Sequence, residues 1–137
     1  MYEIYENAIL LAVQNKYDQL ENILDNQDTN KSQIHDLIAM IGVKSKDEKL
    51  LDITNHHSRL LLKEFASTDH FPFLIKYYKK NGYFEYREID DYIWEAASFK
   101  NAKFLSNFLG YKPDNFVLEE KDKQWKTYFG YKNDEDD

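Results

Sequence analysis

The sequence predicts an all-α chain of stacked antiparallel helix pairs, about four of them, closed by a C-terminal capping helix. Three observations carry that prediction. Gly and Pro number only 4 and 2 in 137 residues, too few to turn the many short strands of an all-β domain. Apolar residues recur at i, i+3 and i+4 through most of the chain, the spacing of one helical face. A small residue stands at Ala12, Gly42, Ala66 and Ala97, and eight residues after each comes the first Leu of a second apolar set.

The elements follow in order. Ala8, Leu11 and Ala12 open the first pair, and Leu20, Ile23 and Leu24 form its second helix. Residues 26–32, NQDTNKS, are a turn cluster. Ile38, Ile41 and Gly42 lead to Leu50 and Ile53, with Ser45 and Glu48 spaced as a capping box between them. Leu62, Phe65 and Ala66 lead to Phe73, Leu74, Tyr77 and Tyr78. Here Ser67 or Thr68 precedes the second helix, which tolerates Pro72 in its first turn. Ile93, Ala96 and Ala97 lead to Phe104, Leu105, Phe108 and Leu109, closed by Gly110 and Pro113. Leu118, Trp125, Tyr128 and Phe129 keep helical spacing and suggest one last helix over the open end of the stack. The small residues are separated by 30, 24 and 31 positions, a period that stacked helix-pair repeats produce. An ordinary antiparallel bundle is the alternative source of such echoes. Phe65, Phe73, Phe104 and Phe108 lie on the apolar stripes and are expected in the core.

The fourth copy carries a resemblance. Residues 91–97, DYIWEAA, resemble the ankyrin signature T-P-L-H-x-A-A, and residues 108–115, FLGYKPDN, resemble that family's helix end running into its loop. Residues 10–15, LLAVQN, are similar to the first helix of such a repeat. As a pattern the resemblance spans residues 6–115. Trp94 replaces the signature His, no Thr-Pro opens a helix and the second copy is short. Plain loops are therefore expected where the family has β-hairpin tips. The resemblance implies an ankyrin-like α-solenoid with an extended binding surface.

With 42% apolar and 31% charged residues, the chain has material for a core and a solvated surface. One helical-repeat domain is expected over residues 1–132, followed by a frayed acidic tail at 133–137. There is no Cys, which excludes disulfides and thiolate chemistry. Glu3 and Glu6 stand where a secretory signal carries bases, and no apolar run approaches the roughly 20 residues of a membrane span. A cytoplasmic location without membrane attachment is the expectation. The net charge of −7 argues against direct nucleic-acid binding, which needs clustered Lys and Arg. The acidity concentrates in residues 82–95 and 114–137, which sum to −8 and leave the remaining 99 residues at +1.

No catalytic constellation emerges. Adjacent His56 and His57 point in different directions, unlike the i, i+4 pair of a helical metal site, and His35 and His70 lie far off in sequence. A helix-joining loop explains the pair, and neither metal nor cofactor is expected. Glu85, Glu88, Asp90 and Asp91 supply carboxylates that a small hydrolase could pair as acid and base, yet nothing in the sequence builds a pocket for them. Tyr83, Phe84 and Tyr86 fall outside the helical register among these acids, and tyrosine is favoured at interfaces for its large ring and polar tip. The expected function is protein–protein binding rather than catalysis. Partner-binding residues are Tyr83, Glu85, Tyr86, Glu88, Asp90 and Asp91, with Asp114, Glu119 and Glu120 as the next candidate. The expected partner is a basic protein, such as a bacterial nuclease toxin whose phosphate groove an acidic immunity-type inhibitor would cover. A hydrolase using the 85–91 carboxylates and a structural module forming homodimers are the alternatives.

Overall fold

The computed structural model describes residues 2–26, 31–54, 59–83, 89 and 91–132. Every regular element among them is an α-helix: α1 (Tyr2–Val13), α2 (Tyr17–Asn26), α3 (Lys31–Ser45), α4 (Glu48–Thr54), α5 (Arg59–Phe65), α6 (Phe71–Lys80), α7 (Asp91–Ala96), α8 (Phe99–Leu109), α9 (Asn115–Glu119) and α10 (Lys123–Phe129). Each predicted apolar set of the four pairs lies on or directly beside one of α1 to α8. The all-α expectation holds. The chain divides into two compact units, Met1–Ser58 and Arg59–Asp137.

In the first unit the turns inside each pair are made by left-handed residues. Asn15 has φ 60°, a conformation its short polar side chain tolerates, and the Lys16 amide donates to Leu11 O at 2.9 Å. That six-to-one bond satisfies a carbonyl the helix end would otherwise leave open. Lys46, with φ 56°, does the same for α3, where the Asp47 amide donates to Gly42 O at 2.8 Å. Asp47 then caps α4, its carboxylate accepting from the amides of Lys49 at 3.0 Å and Leu50 at 3.3 Å. This corrects the capping box expected from Ser45. Ser45 is still helical, and its hydroxyl donates back to Ile41 O at 2.7 Å, so the next residue free to leave the helix and cap is Asp47. Helix α1 packs on α3 and α2 on α4, around a core of Ala8, Ala12, Leu20, Leu24, Ile34, Ile38 and Leu50. Burying each of the larger side chains contributes about 1.5–3 kcal/mol.

The second unit repeats the scheme with different turns. Helix α5 packs on α7, α6 on α8, and α7 on α9. Phe71, Leu74, Ile75, Tyr78, Ile93, Trp94, Leu105, Val117 and Leu118 fill its core. Ala66 and Ala97 each follow their first helix by one residue, and polar contacts join Ala66 to the residues just after Ala97. The Ser98 amide donates to Ala66 O at 3.3 Å, and the buried Asn101 side-chain amide donates to Ala66 O and Thr68 O, both at 2.7 Å. Ala12 and Gly42 lie inside their helices instead, so the four small positions are all buried but are of two kinds. Pro72 falls in the first turn of α6, as expected. Ser98 caps α8 by accepting from the Asn101 amide at 3.1 Å, and Gly110 ends that helix at φ 84°.

Two expectations for this unit are corrected. The single final helix is two, α9 and α10, because Asp122 starts a new helix by accepting from the Trp125 amide at 3.2 Å. Phe65 is buried, but Phe73 and Phe104 are half-buried and Phe108 is 38% exposed. The apolar stripe of α8 is wider than the core it faces, and Phe108 stacks on Phe104 with ring centroids 5.5 Å apart. The turn expected at 26–32, the His56–His57 loop and the acidic tail lie wholly or largely outside the described residues. No helix among the described residues is long and apolar enough to cross a membrane.

Candidate functional site

Of the nine candidate residues, Glu85, Tyr86, Glu88 and Asp90 lie outside the described residues. Tyr83 is half-buried. Gly82, at φ 71°, turns the chain so that the Tyr83 amide donates to Tyr78 O at 2.9 Å. Its ring meets those of Tyr77 and Tyr78 edge-on, with centroids 6.0 and 5.7 Å away. The position is dictated by the end of α6 and leaves part of the ring open to solvent. Asp91 opens α7 and is half-buried. Asp114, Glu119 and Glu120 are all exposed and bracket the short α9, as N-cap, last helical residue and C-cap.

Helix α9 organises the site. Val117 and Leu118 are buried, at 0% and 1% exposure, while Phe116 is 68% exposed, the highest value for any large apolar side chain described. Glu119 and Glu120 follow Phe116 at i+3 and i+4 and so share its face. The result is an exposed aromatic ring rimmed by carboxylates. Sequence reasoning missed Phe116, although a signal was present. Three consecutive apolar residues in one helical turn cannot all face inward, because each step rotates the side chain by about 100°.

The platform beneath is held by side chains reaching to backbone. Asn115 clamps the segment after α10, its amide donating to Lys132 O at 2.9 Å and its carbonyl accepting from the Lys132 amide at 3.3 Å. Lys112 donates to Phe129 O at 3.0 Å. Lys121 donates to Glu95 O at 2.7 Å and lies 4.3 Å from the Trp125 ring centroid, tying the end of α7 to the turn after α9. Burial lowers the pKa of its amine, and the carboxylates of Glu95 and Asp122 pull the other way. Asp91 therefore sits on a helix that packs on α9 and is anchored beside it.

An open hollow is lined by Asn15, Lys16, Tyr17, Asp18, Gln19 and Lys49, and the Tyr17 hydroxyl there donates to Asp47 at 2.7 Å. That bond is the main cause raising the Tyr17 pKa, ahead of burial and of the Asp47 charge. His35 Nδ1 lies 2.8 Å from Thr54 O. A carbonyl accepts only, so Nδ1 donates, and the buried Nε2 has no hydrogen-bond partner among the described residues. No group of three His, Cys, Asp or Glu among the described residues could hold a metal ion. No protein-family model, curated protein or solved structure matches the chain.

Proposed function

We propose that the chain is a protein-binding module on an ankyrin-like stack of helix pairs, and that the face of α9 meets a basic protein. The observation that carries the reading is Phe116, exposed on the face of α9 that Glu119 and Glu120 share, on a helix whose other side is locked into the core. An exposed aromatic anchor with a charged rim is the pattern of an interface hot spot. Burying the Phe116 side chain at a partner would contribute about 1.5–3 kcal/mol, whereas the rim carboxylates would mainly steer encounter. Asp91 and the acidic residues of 82–95 extend the same charge preference. The narrower version is an inhibitor that covers the phosphate groove of a basic nuclease toxin, which fits carboxylates offered in place of phosphates. Binding rather than catalysis, in the cytoplasm, completes the proposal.

The test compares the wild-type chain with Phe116→Ser and Glu119→Lys/Glu120→Lys in capture of basic proteins from the native cell. Kinetics with the purified partner follow. Phe116→Ser should raise the dissociation rate by about tenfold or more, consistent with a loss of 1.4 kcal/mol or more. The charge reversal should slow association and reduce its salt dependence. A partner that binds both variants with wild-type kinetics places the interface elsewhere. A captured partner of acidic character removes the charge argument.

A further inference from the structure

Helices α7 and α9 are built to one pattern. Residues 91–95, DYIWE, and residues 115–119, NFVLE, stand 24 positions apart, and their burial matches position by position. Ile93 and Trp94 are buried as Val117 and Leu118 are, whereas Tyr92 and Glu95 are exposed as Phe116 and Glu119 are. Tyr92 at 67% and Phe116 at 68% are the two most exposed large apolar side chains described. The two helices pack together, and Lys121, just past the end of α9, donates to the carbonyl of Glu95 near the end of α7. Their C-terminal ends are therefore level, and they run in the same direction. With the same positions turned inward, Tyr92 and Phe116 stand side by side on axes about 8–10 Å apart. Glu95 and Glu119 form a second row about 4.5 Å further along those axes.

Charge decides what can cover these rings. Single-stranded nucleic acid stacks its bases on open aromatic faces, but here Glu95, Glu119 and Glu120 would meet its phosphates. A second copy presenting the same face would set carboxylates against carboxylates, which costs affinity. A basic polypeptide meets neither obstacle. Lys121 already lies beside Glu95, whereas Glu119 and Glu120 are exposed and make no ion pair among the described residues. Lys63 of α5 stands 5.5 Å from the Tyr92 ring centroid and still leaves that ring two-thirds open. The contact also shows such a ring accepting an ammonium group against its face.

We propose that Tyr92 and Phe116 are paired anchors for one amphipathic, basic helix of a partner protein laid across α7 and α9. Its apolar side chains seat on the two rings and its Lys or Arg side chains meet Glu119 and Glu120. The inference rests on the α9 reading and extends it to α7. Residues seven apart in a helix share a face and are separated by about 10.5 Å, which spans the two rings. A helix is also about 10–12 Å wide with its side chains, enough to cover the row of rings and the row of carboxylates together, whereas an extended segment follows only one row. Two anchors on one segment reinforce each other, because seating the first holds the second at high effective concentration.

The probe is a fluorescent Ala-based peptide of about 18 residues, long enough to hold a helix, with two Leu seven apart and Lys along one flank. Its binding to the full chain is read by anisotropy in low and in high salt. Binding that weakens as salt rises is expected. Tyr92→Ser and Phe116→Ser, which change exposed side chains and should keep the wild-type helical dichroism, should each weaken it about tenfold or more. A peptide with one Leu replaced by Ala should bind the wild type about as weakly as the full peptide binds either variant. Glu119→Gln/Glu120→Gln should weaken binding and flatten its salt dependence. The proposal is overturned if the full peptide fails to bind the wild type, if Tyr92→Ser binds it as the wild type does, or if the peptide binds equally well with Glu in place of Lys. Should Phe116→Ser weaken capture of the native partner while Tyr92→Ser leaves both partner and peptide unaffected, the α9 interface stands and the paired anchors fall. Should neither substitution affect partner or peptide, both readings fall.

Discussion

Asn101 shows how much one polar side chain can fix. It is 3% exposed, and its amide serves two carbonyls of the preceding helix pair, Ala66 O and Thr68 O. Its own backbone amide is taken by Ser98. Asn101→Ala would leave each carbonyl with only a longer backbone bond, Thr68 O with that from the Phe71 amide and Ala66 O with that from the Ser98 amide, both at 3.3 Å. Each lost side-chain hydrogen bond is worth about 0.5–1.5 kcal/mol net, so chemical denaturation should register a loss of about 1–3 kcal/mol. A loss under about 0.5 kcal/mol, the range of an ordinary surface substitution, would remove Asn101 from this role. The position was hard to see in the sequence. Asn101 reads as a polar residue on the outside of an amphipathic helix, and nothing local says that the chain 33 and 35 residues earlier presents carbonyls to it. Ser98, a cap three residues before Asn101, was the readable part of the same arrangement.

At the scale of elements, the spacing of α3 and α4 depends on Gly42. A Cβ there would lie 3.2 Å from Leu50 Cβ, 3.2 Å from Leu51 Cγ and 3.3 Å from Asp47 O. Those neighbours are backbone or the inner part of buried side chains, so they yield poorly. Gly42→Ala would gain up to about 1 kcal/mol of helix propensity and lose about 1–3 kcal/mol to overpacking. A net destabilisation, read as a lowered denaturation midpoint, is expected; a stabilised variant would show that α4 can retreat. The helix pairs were legible because their apolar spacing is strong and their small residues recur. The ends were less so. Ser45 and Asp47 are both good caps by residue type, and the choice between them depends on Lys46 entering a left-handed conformation that lysine seldom adopts. The break at Asp122 was missed because Leu118 and Trp125 are themselves seven residues apart, which continues a helical face whether or not the backbone does. The candidate site was legible in part. Asp114, Glu119 and Glu120 were named as a candidate, and the exposed ring of Phe116 beside Glu119 and Glu120 became visible only once Val117 and Leu118 had claimed the inward side of α9.

For the molecule as a whole, alkaline stability follows from Tyr78, a buried tyrosine of the second unit. Burial raises the Tyr78 pKa, with a smaller contribution from nearby Tyr83. In the unfolded chain the same phenol ionises near pH 10. From that pH upward the unfolded state has shed a proton that the native state retains, so stability falls as pH rises. Tyr17 has the same sign with Asp47 as its first cause. Lys121 has the opposite sign, because its lowered pKa makes the native state the one that releases a proton earlier. Tyr78→Phe should therefore flatten the decline in unfolding free energy above about pH 10, whatever it does to stability at neutral pH. An unchanged slope would place the alkaline loss elsewhere. The division into two units carries an optical consequence as well. Both tryptophans of the chain, Trp94 and Trp125, belong to Arg59–Asp137, so indole fluorescence is emitted by one half alone, whereas far-ultraviolet dichroism sums the helices of both. A substitution in Met1–Ser58, such as Leu20→Ala, is silent to the indoles unless the halves are energetically linked. Its effect on the emission midpoint is thus a direct reading, in kilocalories, of how much of the folding cooperativity crosses from one half of the chain to the other.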